Sequence, residues 1–183
     1  ALCFALNADA SQVIANWTQR MYKGHNALEH LDVWRGDTLF RVFLLADTLQ
    51  VDLAFWSATE FGATGPTFRL VFGKANERPL IPPPAATDFI GYAWLYALHV
   101  RSSLARGRVW QAEFMLSAMR GQTLALVCLR HGLPTHEARG IDDLPSDITA
   151  LFTETLVCSL DTSELKRAFA AMTSVLLREI EGE

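Results

Sequence analysis

The sequence predicts an α+β fold, a strand-rich first half followed by a helical second half, and three observations point to it. Short apolar runs punctuated by Gly- and Asp-containing turns fill the chain before residue 60. A stiff stretch from Pro79 to Pro84 then interrupts it, and no helix crosses such a run. From Asp88 onward apolar residues recur at helical spacing almost to the end. A boundary is therefore expected near residue 86, between a mixed-sheet domain at 1–86 and an antiparallel four-helix bundle at 87–183.

Leu2 to Leu6 reads as a short buried strand. Asn7 to Asp9 then offer caps for a helix in which Val13, Ile14, Trp17 and Met21 recur on one face until Gly24 ends it. His30 to Trp34, Thr38 to Leu45 and Leu49 to Phe55 form three strands. Arg35-Gly36-Asp37 and Ala46-Asp47-Thr48 separate them at spacings that suit consecutive antiparallel hairpins. Glu60 to Gly73 contains glycine and is ambiguous. A first helix is expected from an N-cap at Asp88 to a break at Arg106-Gly107, and a second from Trp110 to His131-Gly132. A third should run from Pro145 to Leu160. Asp161-Thr162-Ser163-Glu164 resembles a capping box opening a fourth, whose Leu165, Phe169, Met172, Leu176 and Ile180 make one apolar face.

Composition narrows the function classes. Of 183 residues half are apolar, a tenth aromatic and a fifth charged, enough apolar surface for a core and too much for a disordered or fibrous chain. The net charge of −4 argues against a dedicated binder of long nucleic acid, whose affinity comes from neutralising phosphates. That charge is unevenly spread: −1 over 1–87, +3 over 88–132 and −6 over 133–183. A basic middle inside an acidic chain suits either a solvated helix face or a site for a small polyphosphate. Cys3, Cys128 and Cys158 are odd in number, far apart and set among apolar neighbours, which reads as reduced and buried. No apolar run reaches the roughly 18 residues of a membrane span, and ALCFALNAD lacks the basic flank of a signal peptide, so a cytoplasmic protein is expected. The chain opens on Ala in strand-like sequence, which leads us to expect a further segment upstream.

Strand alternation puts Leu49, Val51, Leu53 and Phe55 on one face and Gln50, Asp52 and Ala54 on the other. Asp is depleted in strands and its ionised form is costly where water is excluded, so Asp52 calls for a compensating cation or a solvent-facing surface. In the helical half, His99, Ser102, Ser103 and Arg106 fall on one stripe, and Glu113, Ser117 and Arg120 on another beneath Trp110. Glu113 is the only acid between Asp88 and Glu137 and reads as either a structural ion-pair partner or a catalytic group. No His or Cys stands at zinc-ligand spacing around His99. Gly62-Ala63-Thr64-Gly65-Pro66 lacks the Lys of a P-loop, and no Ser has a Gly-x-Ser-x-Gly setting.

Three segments together, FRVFLLADTLQVDLAFW (Phe40 to Trp56), EFGATGPTFRLVFG (Glu60 to Gly73) and HVRSSLARGRVWQAEFMLSAMRGQTLALVCLRHG (His99 to Gly132), resemble bacterial nucleotidyltransferase-domain proteins of the DNA polymerase β-like superfamily. Antibiotic adenylyltransferases belong to the same superfamily. In it a Gly-Ser motif, an Asp-x-Asp pair on one strand and a third carboxylate on a neighbouring strand hold magnesium and the nucleotide. The resemblance implies a nucleotidyltransferase-like sheet domain with Asp52 as the third carboxylate and metal ligand. It implies Glu113 as the base that takes the proton of the acceptor hydroxyl. It also implies Arg101, Arg106 and Arg120, with His99 and Ser103, as contacts to the triphosphate of ATP across a cleft. The partner would be a small molecule bearing a hydroxyl, not a long nucleic acid or a membrane.

The Gly-Ser motif and the Asp-x-Asp pair are not in these residues, and ALCFAL is similar to the strand that follows the pair. The chain is accordingly expected to be part of a longer enzyme and inactive by itself. The alternative is a non-catalytic relative that binds a partner or forms a homodimer through Phe89, Tyr92, Trp94 and Tyr96.

Overall fold

The computed structural model describes residues 2–6, 10–63, 65, 68–78 and 82–182. The cap residues Asn7 to Asp9, the first part of the proline stretch and part of the glycine-containing segment lie outside them. The chain forms two compact units, Ala1–Ile81 and Pro82–Glu183. A mixed sheet followed by helices makes it an α+β protein. Among the described residues no helix is long and apolar enough to cross a membrane.

In the first unit strand β1 (Leu2–Leu6) leads to helix α1 (Ala10–Gly24) and then to β2 (Ala27–Arg35), β3 (Thr38–Leu45) and β4 (Gln50–Ser57). The sheet order is β1-β4-β3-β2. The two hairpins are antiparallel as their turn residues require, with Gly36 at φ +56° in the first, a conformation that glycine takes without a steric penalty. Strand β1 pairs with β4 in parallel, Phe4 beside Phe55. So β4, the last strand in sequence, is interior in space. Ile14, Trp17 and Met21 of α1 lie over Leu39, Phe43, Leu53 and Phe55, and this packed layer is the core of the unit. Each such side chain removed from water contributes roughly 1.5–3 kcal/mol.

The second unit contains α2 (Ala86–Ala105), α3 (Val109–Arg130), a 3-10 turn at Ile141–Asp143, α4 (Ser146–Thr153) and α5 (Thr162–Glu181). A short loop with Gly107 at φ +67° folds α3 back along α2, and α5 packs on both. Small residues on α2, Ala93, Val100 and Ser103, face the core, and α3 fills it with Leu116 and Met119 against Met172 of α5.

Four expectations need correction. Helix α2 starts at Ala86 with Ala85 at its N-cap, so Asp88 stands in the first turn, where its charge favours the positive end of the helix dipole. The third helix of the bundle stops at Thr153, not Leu160. The Thr155 hydroxyl donates to the Phe152 carbonyl at 2.6 Å, and Arg167 donates to the carbonyls of Glu154 and Leu156 at 2.7 and 2.9 Å. Those donors satisfy the carbonyls that a continuing helix would have used. Glu164 does not close a capping box. Its carboxylate accepts from the Cys158 backbone N–H at 3.0 Å and from Arg167. Finally, only Cys128 is buried. Cys3, on the edge strand β1, and Cys158, in the extended segment left by the shortened α4, are exposed.

Candidate functional site

The alternation expected for β4 holds. Leu53 and Phe55, 1 % and 2 % exposed, point into the α1 layer, and Asp52 lies on the opposite sheet face with Gln50 and Ala54. Asp52 is the third residue of β4, opposite Val42 of β3, and is part-buried. Among the described residues its carboxylate accepts one hydrogen bond, from the Gln50 side-chain amide at 2.9 Å. Gln50 is two residues back on the same face, so the period of the strand itself sets this contact.

Two cations of this unit, Arg41 and Arg78, are engaged elsewhere. Arg41 makes a two-pronged ion pair with Asp32 at 2.6 Å per arm and reaches the Thr18 hydroxyl of α1. The hydrogen bonds from Arg41 hold the Asp32 carboxyl below its ordinary range, and Asp32 holds the guanidinium above its own. Arg78 lies over the Trp56 ring at 5.1 Å and approaches Glu60 at 3.8 Å. Among the described residues Asp52 therefore has no basic side chain within 4 Å.

A hollow of about 330 Å³ opens in this unit between Leu6, Ile14, Trp34, Asp37, Phe55 and Ser57, at the C-terminal ends of β1 and β4. A second, of about 580 Å³, lies at the end of α1 beside Trp17, Arg20, Lys23 and His25. Asp52 lines neither of them. Among the described residues no three His, Cys, Asp or Glu side chains gather as a metal site. Magnesium is commonly held by one or two carboxylates with phosphates and water completing its shell, and Asp52 offers one carboxylate.

In the helical unit the stripe expected on α2 divides. His99, Arg101 and Arg106 are exposed. Ser103 is 2 % exposed and packed inside the unit, so it presents no surface to a nucleotide. On α3, Arg120 is part-buried. Its Nε donates to the Thr155 hydroxyl at 2.9 Å and its Nη2 to the Thr155 carbonyl at 2.7 Å, closing the end of α4. Burial lowers the Arg120 guanidinium from its ordinary value, with the Glu113 carboxylate opposing the shift. Glu113 itself is part-buried and among the described residues has no basic side chain within 4 Å. The cross-helix ion pair weighed for it is instead made by Arg130 of α3 with Glu179 of α5, at 3.1 Å.

Two features escaped the sequence reading: the capping role of Arg120 and the basic hollow at the end of α1. The first had no local signal, because Thr155 is 35 residues from Arg120. The second was visible as Arg20 and Lys23 one helical turn apart beside His25.

No family model matches the chain, and no curated protein matches it by sequence. Among solved structures it is similar to an aminoglycoside 6-adenyltransferase from Bacillus subtilis, with 12 % identity and a TM-score of 0.46, over 98 % of this chain and 77 % of that one.

Proposed function

We propose that this chain provides the sheet and helical parts of a nucleotidyltransferase that moves a nucleoside monophosphate, AMP from ATP, to a hydroxyl of a small molecule in the cytoplasm. One observation carries the reading. Asp52 projects from an interior strand on the face opposite α1, held only by the Gln50 amide and without a cation among the described residues. A strand carboxylate in that state contributes little to folding and stays free to take a charged ligand. The resemblance of the segment from Phe40 to Trp56 assigns the same residue the part of third carboxylate.

Magnesium, held in part by Asp52, would neutralise charge on the transferring phosphoryl oxygens. In the helical unit Glu113 is assigned the proton of the acceptor hydroxyl, since a part-buried carboxylate without an ion pair is suited to accept one. Arg101, Arg106 and His99, exposed on α2, are assigned to phosphate oxygens through charge-assisted hydrogen bonds. Arg120 has less to offer, with two of its donors already used on Thr155.

A second reading, a non-catalytic protein that forms a homodimer or binds a partner, is favoured by the apolar surface of the helical unit. Tyr92, Trp94 and Leu98 of α2 and Trp110 and Phe114 of α3 are each at least half exposed. Calorimetry of the complete protein with ATP, with and without magnesium, separates the two. The transferase reading expects magnesium-dependent binding that Asp52→Asn abolishes. Absence of binding, or binding indifferent to that substitution, removes its basis and favours the second.

A further inference from the structure

We propose that the hollow at the C-terminal end of α1 binds a small phosphate-bearing anion, independently of Asp52. The hollow, about 580 Å³, is lined by Trp17, Gln19, Arg20, Lys23, Gly24 and His25, three of them basic and none acidic. Among the described residues none of the three basic side chains has a carboxylate within 4 Å, although acids outnumber bases in the chain as a whole.

Offsetting the helix dipole is the ordinary use of basic residues at a helix end, but it does not account for this many. The dipole places about half a negative charge at the C-terminus, while Arg20 and Lys23 alone bring two positive ones. The remaining field is positive and attracts an anion.

The details favour phosphate over a simple halide. The Arg20 guanidinium sits 5.3 Å from the centre of the Trp17 ring, and Trp17 is itself packed on Phe4 with ring centres 4.7 Å apart. A guanidinium held on an indole keeps its planar fork of N–H donors oriented, the geometry that matches two phosphate oxygens. Lys23, one turn on, adds a mobile point charge, and the Gln19 amide adds donors with no charge. Gly24 puts no side chain in the way, and a Cβ built there meets nothing within 4 Å.

Titration with inorganic pyrophosphate in magnesium-free, low-salt buffer, followed by backbone amide shifts of the full chain, tests this. The expected result is saturable shifts across Trp17 through His25, weakened at least about tenfold in Arg20→Gln/Lys23→Gln, as loss of two charge-assisted contacts requires, whatever shifts appear on α2. Gly24→Asp, which puts an acid into open space, should weaken binding likewise, while Asp52→Asn leaves it unchanged. Unaltered circular dichroism in the variants would show that the fold is kept. No saturation at millimolar pyrophosphate, or equal affinity in the double variant, overturns the proposal.

Discussion

The two units use their arginines differently. In the sheet unit Arg41 meets a carboxylate, two planar groups face to face, and ties β2 to β3 and, through Thr18, to α1. In the helical unit Arg130 and Arg167 pair with the carboxylates of Glu179 and Glu164 too, but they and Arg120 each also donate to backbone carbonyls near a helix end, those of Glu179, of Glu154 and Leu156, and of Thr155. The difference follows from architecture. A sheet satisfies its carbonyls strand to strand, whereas helices leave their last carbonyls without partners and draw arginine donors to them in addition to any charge pair. An arginine count therefore says little about ligand sites until this backbone demand has been subtracted.

The sharpest way to test that the units have separate cores is to remove one large side chain from each. Phe43→Ala, at a position 0 % exposed, should cost the sheet unit about 3–5 kcal/mol, and Met172→Ala should cost the helical unit about 2–5 kcal/mol. Hydrogen exchange should show each loss of protection confined to its own unit. Spread of either loss over both would break the comparison.

Next in size is Arg120→Met. Thr155 is 0 % exposed, so its carbonyl loses a partner in a place water does not reach, at a cost of about 1–3 kcal/mol by chemical denaturation. An effect below about 0.5 kcal/mol, the level of an ordinary surface change, would mean that the cap is dispensable and return Arg120 to the pool of ligand candidates.

Much of the sheet was legible because its punctuation is local. Arg35-Gly36-Asp37 and Ala46-Asp47-Thr48 allow only tight turns, and β3 has the expected bounds, Thr38–Leu45. The parallel pairing of β1 with β4 was not legible, since it joins apolar runs far apart in sequence and nothing in either names the other. The third helix of the bundle was read too long because Leu156 and Val157 continue its apolar pattern. What ends it comes from Arg120 and Arg167, on other elements. At the candidate site, period-two alternation correctly set Asp52 opposite the α1 layer, while Ser103 was misread because a stripe on a helix does not say which side packs.

Smaller effects sharpen the contrast. Thr48 sits at φ +69°, which a β-branched residue adopts with strain, so Thr48→Gly should stabilise the sheet unit by up to about 1 kcal/mol in a thermal melt. In the helical unit hydrogen bonds from Arg167 and the Cys158 N–H lower the Glu164 pKa from 4.5 to about 2. A carboxyl lowered on folding stabilises the fold above its unfolded pKa, and that contribution is lost as pH falls from about 4.5 through about 2. An acid titration should thus show Glu164→Gln less stable than the native chain near neutrality, the gap closing at the acid end. A gap that stays constant with pH would count against the contact.

The central claim is that the Asp52 carboxylate is held for a charged ligand and not for the fold. Asp52→Asn should change the melting temperature little, since the side chain keeps its shape and loses no ion pair. The most direct measurement is paramagnetic broadening by Mn²⁺ in the presence of ATP, read on the backbone amides of the complete protein. The account expects broadening centred on Gln50, Val51 and Asp52 that disappears in Asp52→Asn. Broadening centred elsewhere, or unchanged by the substitution, would contradict it.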